Sequence, residues 1–136
     1  MGPDPPLSLS FPAESAALPR LAAWSAQALE HLALPAQPAY ALELCIEEMV
    51  ANILLHGTRA EGAISVTLTI LTDPLRLVVE DDAAAFDPTG QPEPPPPLDL
   101  ETAPIGGRGL PLVRRFSQAM RYVREAGRNR VEIRIA

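Results

Sequence analysis

Residues 90–97 read Gly90-Gln91-Pro92-Glu93-Pro94-Pro95-Pro96-Pro97, and such a run enters neither a helix nor a sheet. Proline lacks a backbone N–H and fixes φ. The fold must therefore be assembled from the residues before and after it, with 87–104 left outside regular structure. A stretch of that length inside a small domain is usually functional or disordered. The whole chain has 136 residues, which is one domain rather than two. A chain near this size hides about 68–70% of its unfolded surface, and the 47% apolar content can supply a core. The expected organisation is a leader at 1–6, one domain over 7–136 and a lid-like loop at 87–108.

On the N-terminal side, Leu7-Ser8-Leu9-Ser10-Phe11 alternates with period two and predicts a strand. Leu18, Leu21, Ser25, Ala28, Leu29 and Leu32 recur at helical spacing, predicting a helix from about Glu14 to Ala33. A second helix is expected from about Pro38 to Leu55, with Leu42, Ile46, Met49, Val50 and Ile53 as its apolar stripe. His56-Gly57 ends it, and Gly57 suits a left-handed cap. Ile64, Val66, Leu68 and Ile70 alternate with polar residues, Thr72-Asp73-Pro74 signals a turn, and Leu75–Glu80 returns as the second strand of a hairpin. Beyond the proline run come a short helix at Leu110–Phe116 and a final hairpin, Met120–Arg124 with Arg130–Ile135, around Gly127-Arg128-Asn129. Helices and hairpins are segregated. The expected class is α+β: a two-layer sandwich whose mixed, mostly antiparallel sheet carries helices on one face.

Charge and composition close off several functions. Acidic residues number 17 and basic residues 11, every one of them Arg. Without Lys there is no Lys-based catalysis and no Walker-type phosphate loop. A net charge of −6 makes a poor general binder of nucleic acid or anionic membrane. Cys45, the single cysteine, can form no internal disulfide and no multi-cysteine zinc site. No secretory leader and no apolar run near the ~20 residues of a membrane span is present, so a cytoplasmic location is expected.

Three groups of residues can carry chemistry. Glu48 and Asn52 are four apart on the second helix and share a face. Beside an apolar stripe, that face lies either in solvent or at the rim of a cleft. In a cleft the carboxylate can take a proton from an attacking hydroxyl, and the amide oxygen can ligate Mg²⁺. Glu80-Asp81-Asp82 closes an apolar strand, as a polar turn or as an acceptor for a ligand's amino group. Gly106-Gly107-Arg108-Gly109 leads into a helix, as a hinge or as a phosphate cradle formed by bare backbone, a helix N-terminus and Arg108.

Taken in this order and on these elements, the three groups resemble the Bergerat-fold ATPases of gyrase-type topoisomerases, Hsp90-type chaperones, histidine kinases and MutL-type repair proteins. They are most similar to the small serine kinases that act as bacterial anti-sigma factors. Leu44–Gly57 matches the N box of that family, Val79–Pro88 its first glycine box with the Phe86-Asp87-Pro88 that often follows, and Gly106–Phe116 its second. The ending from Tyr122 to Val131 also fits, and the likeness spans about 7–136.

The resemblance implies a role for each matching residue. Asn52 would hold the Mg²⁺ that bridges the phosphates of ATP, and Glu48 would be the general base on a serine hydroxyl. Asp81 would accept from the adenine amino group, with Ala83 in the same pocket. Gly106, Gly107, Arg108, Gly109 and Leu110 would line the phosphates. ATP and Mg²⁺ are the implied cofactors. The implied activity is an ATP-dependent serine protein kinase and anti-sigma factor that phosphorylates a STAS-type anti-anti-sigma protein. A sigma factor would be its second partner and a homodimer its oligomeric state. Ala83 stands where the first glycine box usually has Gly, which is expected to tighten or reshape the adenine pocket. The alternative is a non-catalytic module, nucleotide-regulated or nucleotide-free, that sequesters a regulatory partner. A detached histidine-kinase ATPase domain is disfavoured, because no dimerisation helix with a phosphoacceptor His precedes Glu48.

Overall fold

A computed structural model describes residues 7–90 and 109–135. Strand β1 (Leu7–Pro12) is followed by a 3₁₀ turn at Ser15–Ala17, then by helices α1 (Leu18–Leu32) and α2 (Ala36–His56). A hairpin comes next, β2 (Ser65–Leu71) and β3 (Arg76–Asp81). After the interval lie α3 (Gly109–Phe116) and a second hairpin, β4 (Ser117–Glu125) and β5 (Arg128–Ile135). The five strands form one sheet in the order β1-β2-β3-β5-β4, and all four pairings are antiparallel. The expected sandwich is thus present, with no parallel pair among the described residues. α1 begins four residues later than its apolar pattern predicts, because the tighter 3₁₀ turn occupies Ser15–Ala17 and Pro19 then fills the first helical turn.

Period two decides which side chains meet the helices. Val66, Leu68 and Ile70 of β2, Leu77 and Val79 of β3, and Val131, Ile133 and Ile135 of β5 are all buried. They pack in one cluster with Ala41, Leu42, Cys45, Ile46, Met49, Val50 and Ile53, the inner face of α2. The opposite face of the sheet is polar: Ser10 and Thr67 share a hydrogen bond of 2.9 Å there, and Arg76 meets Glu132 at 3.4 Å. α3 packs against α2, where the rings of Tyr40 and Phe116 meet edge to face at 5.6 Å. No helix among the described residues is long and apolar enough to cross a membrane.

Gly57 does not take the left-handed cap expected of it. Its backbone is extended, φ −65° and ψ 136°. Glycine is required there by proximity instead: a Cβ would fall 2.5 Å from the Ile53 carbonyl oxygen and 2.9 Å from Ile64 Cδ1. The chain leaving α2 is pressed against the last turn it has just made. The final hairpin turns at Ala126-Gly127, both with positive φ (51° and 75°), the pairing that a two-residue loop demands. Asn129, expected in that turn, is instead a strand residue.

Cys45 is fully enclosed, and burial pushes its thiol up to about 11. Thiolate is the reactive form. Folded protein at pH 8 is therefore expected to resist iodoacetamide and to become alkylated only in denaturant, which mass spectrometry of the labelled chain checks.

Candidate functional site

The inward rows of β3 and β5 do not stay apolar to their ends. Leu77-Val79 continues into Asp81, and Ile135-Ile133-Val131 continues into Asn129. Asp81 and Asn129 are cross-strand partners. Two polar side chains, 7% and 3% exposed, thus close one end of the core. Burial of such groups is tolerable only if they are hydrogen-bonded, and both are. Asn129 Nδ2 donates to Asp81 Oδ1 at 2.9 Å and to the Ala84 carbonyl at 3.0 Å. The backbone N–H of Ala83 also donates to Asp81 Oδ1, at 3.0 Å. Asp81 Oδ2 takes no partner among the described residues.

Asp81 lines a cavity of about 160 Å³. Met49, Asn52, Ile53 and His56 of α2 form one wall. Val79, Asp81 and Val131 form the other, and the segment Ala83–Phe86 with Pro88 closes the end. The lining is apolar with a few convergent polar atoms, the usual make-up of a small-molecule site. The volume is below the roughly 300–1,000 Å³ of drug-sized pockets, so it admits a flat ring rather than a whole nucleotide.

Ala83 is buried, 4% exposed, and lines the cavity. None of Ala83, Ala84 and Ala85 has a positive φ. The turn after β3 therefore uses backbone angles open to any residue, and alanine imposes no strain on it. The reshaping that sequence suggests is thus confined to the methyl groups that line the cleft.

Asn52 is half-buried and lines the cavity, the second of the two placements that its spacing left open. Glu48 is half-buried one turn earlier, about 6 Å along the helix axis, and does not line the described cavity. Glu47 points elsewhere. It is exposed, and it borders a second cavity between α1 and α2 together with Glu43. Its carboxyl is held above the usual carboxylate range by partial burial first, and then by the charges of Glu43 and Glu48. Gly106, Gly107 and Arg108 lie outside the described residues. Gly109 and Leu110 are the first two residues of α3. No cluster of three or more His, Cys, Asp or Glu with metal-ligating geometry occurs among the described residues. A cation here would rely on Asn52 together with oxygens that a ligand and water bring, the coordination Mg²⁺ favours.

The three consecutive acids part company. Glu80 lies on the outer face opposite Thr67 and Arg130. Asp82 is structural: Oδ1 accepts from the Ser65 N–H at 2.7 Å and Oδ2 meets Arg59 at 2.6 Å. Only Asp81 addresses the cleft. Arg114 is half-buried and donates to the Pro88 carbonyl at 2.8 Å, so α3 holds the start of the long loop.

Sequence reading missed the residues behind Asp81. Tyr122 Oη donates to Asn129 Oδ1 at 2.6 Å, and Arg124 Nη1 donates to the same oxygen at 3.1 Å and to the Ala83 carbonyl at 2.7 Å. The signal for Asn129 was available: it continues the period-two row Val131, Ile133, Ile135.

The chain is similar in sequence and fold to known proteins. The description "Histidine kinase-like ATPase domain" matches residues 11–135. The serine/threonine-protein kinase BtrW of Bordetella bronchiseptica is 36% identical over 111 residues, which cover 77% of this chain and 78% of that protein. A crystal structure of RsbU and RsbW domains from Mycobacterium tuberculosis superimposes with a TM-score of 0.63 at 19% identity. That match takes in 96% of this chain but only 32% of the other, so the chain spans about a third of that larger protein. A sheet ending in Asp81, a facing helix bearing Asn52 and a family match over nearly the whole chain lead to one conclusion: the chain belongs to the histidine kinase-like ATPase domain family.

Proposed function

We propose that the protein is an ATP-dependent serine kinase that acts as an anti-sigma factor and phosphorylates a small STAS-type anti-anti-sigma protein. The observation that carries this reading is Asp81, buried at the end of β3 with Oδ1 occupied by two donors, lining a cleft that Asn52 also lines. The similarity to a serine/threonine-protein kinase supports the kinase half. The anti-sigma half rests on the likeness of the Leu44–Gly57, Val79–Pro88 and Gly106–Phe116 segments to that kinase group.

In this reading Asp81 Oδ2 accepts from the adenine amino group, while Met49, Ile53, Val79 and Val131 pack on the ring. Asn52 would present its amide oxygen to Mg²⁺. The glycines at 106, 107 and 109, with the first N–H groups of α3, receive the phosphates beside Arg108. When bound, ATP would supply the transferable phosphoryl group and Mg²⁺ would offset the negative charge on it. Glu48 takes the hydroxyl proton as the serine oxygen forms its bond to phosphorus and the bond to ADP breaks. The product carries a phosphate of about −1.5 to −2 charge, enough to alter an interface.

The test is calorimetry with Mg-ATP, then incubation with a STAS partner and detection of phosphoserine. Asp81→Asn is expected to weaken ATP at least about tenfold, since a charge-assisted bond contributes about 1.5–3 kcal/mol. Asp81→Asn binding as tightly as wild type would remove Asp81 from the site. Wild type that binds ATP yet never phosphorylates the partner would leave a nucleotide-regulated sequestering module.

A further inference from the structure

Asn129 has both ends of its amide fixed by chemistry. A carboxylate only accepts, so the group facing Asp81 Oδ1 must be Nδ2. An amide N–H only donates, so the atom facing the Phe86 N–H at 3.3 Å must be Oδ1. The two demands agree on one orientation. An aspartate side chain on its own has a broad, two-fold terminal torsion. Here the Ala83 N–H and Asn129 Nδ2 both engage Oδ1, which settles the plane of the carboxylate and the direction of Oδ2. On the far side, Tyr122 and Arg124 of the edge strand engage Asn129 Oδ1, and Arg124 also takes the Ala83 carbonyl. Edge strand, β5, β3 and the segment Ala83–Phe86 are thereby joined through one side chain.

We propose that Asn129 is a positioning residue for base recognition: it aims Asp81 Oδ2 at the exocyclic amino group of a purine and, through Tyr122 and Arg124, straps the Ala83–Phe86 turn to the β4–β5 hairpin. This rests on the reading of Asp81 as the base acceptor. Without glycine in that turn, side-chain hydrogen bonds from the edge hairpin hold its shape. The strap also explains why the chain spends a buried amide where the row calls for an apolar residue.

The experiment compares ATP with purine riboside triphosphate, which differs by lacking the 6-amino group, in wild type, Asn129→Ala and Tyr122→Phe. Hydrogen exchange at the Ala83 and Phe86 amides is followed in nucleotide-free protein. Asn129→Ala is expected to weaken ATP about 10–30-fold and purine riboside triphosphate less than about threefold, so that discrimination between them collapses. Exchange at both amides should quicken. Tyr122→Phe removes one hydroxyl, leaves the fold intact, and should move the same quantities the same way by about threefold. Should Asn129→Ala fail to fold, Tyr122→Phe decides. Equal weakening of both nucleotides, or an unchanged ratio, would mean that Asn129 only packs and would overturn the proposal. If wild type bound neither nucleotide, the base-site reading would fall and base positioning with it. The strap would then be judged by exchange alone, and unchanged protection in both variants would refute that as well.

Discussion

Glu48→Gln is expected to lower phosphoryl transfer about 10²–10⁴-fold, the usual share of a general base, while leaving the ATP dissociation constant within about threefold of wild type. The split follows from position. Glu48 stands one helical turn from Asn52 on α2 and does not line the described cavity, so the base and its cleft do not depend on it. Glutamine keeps the shape and removes the proton acceptor. The measurement is a single-turnover assay of phosphoserine on a STAS partner, set beside calorimetry on the same preparations. Glu47→Gln is the matched control: its carboxyl borders the α1–α2 cavity instead, and transfer should not change. Equal rates for Glu48→Gln and wild type would withdraw the catalytic assignment. A parallel fall in binding would make Glu48 a binding residue rather than a base.

Leu68→Ala should cost about 2–5 kcal/mol of folding stability. Leu68 is wholly enclosed in β2, registered between Leu9 of β1 and Val79 of β3, and belongs to the cluster that joins sheet to α2. A domain holds together by only about 5–15 kcal/mol, so a large share of its stability rests on one side chain. Urea titration followed by circular dichroism reads the loss as a lower midpoint at constant slope. Val123→Ala, on the edge strand and 45% exposed, should stay within about 0.5 kcal/mol. A comparable loss at both positions would mean that Leu68 is not the core residue described.

The elements were legible wherever an apolar period runs unbroken. Both hairpins, the stripe of α2 and the segregation of helices from strands all follow from spacing. What sequence could not supply was the set of contacts that crosses between elements. Glu80, Asp81 and Asp82 read alike as consecutive acids; the pleat sends Asp81 inward, and Arg59 with the Ser65 amide claims Asp82. Asn129 reads as a turn residue because it follows Gly127-Arg128, and it becomes a site residue only once the loop is seen to close at Ala126-Gly127. Gly57 reads as a cap by position, but its need for hydrogen at Cα comes from the Ile53 carbonyl oxygen and from Ile64, brought close by a path of the chain after the helix that spacing within the helix does not reveal. Ala83 stands where Gly is usual, and whether that exchange strains the backbone depends on φ, which is not written in a residue name.

The pairing of Asp81 with Asn129 across two inner strands has an entropic consequence. On the proposed reading, in which Asp81 accepts from the base, the acceptor is set in place when the sheet forms, so a ligand would find it ordered and lose affinity neither to loop closure nor to side-chain search. Recognition of the ring would then be separable from capture of the phosphates, which the same proposal assigns to other parts of the chain. A bare nucleoside keeps the whole of its ring contribution, and what the phosphates add is governed by cation and salt rather than by the shape of the base pocket.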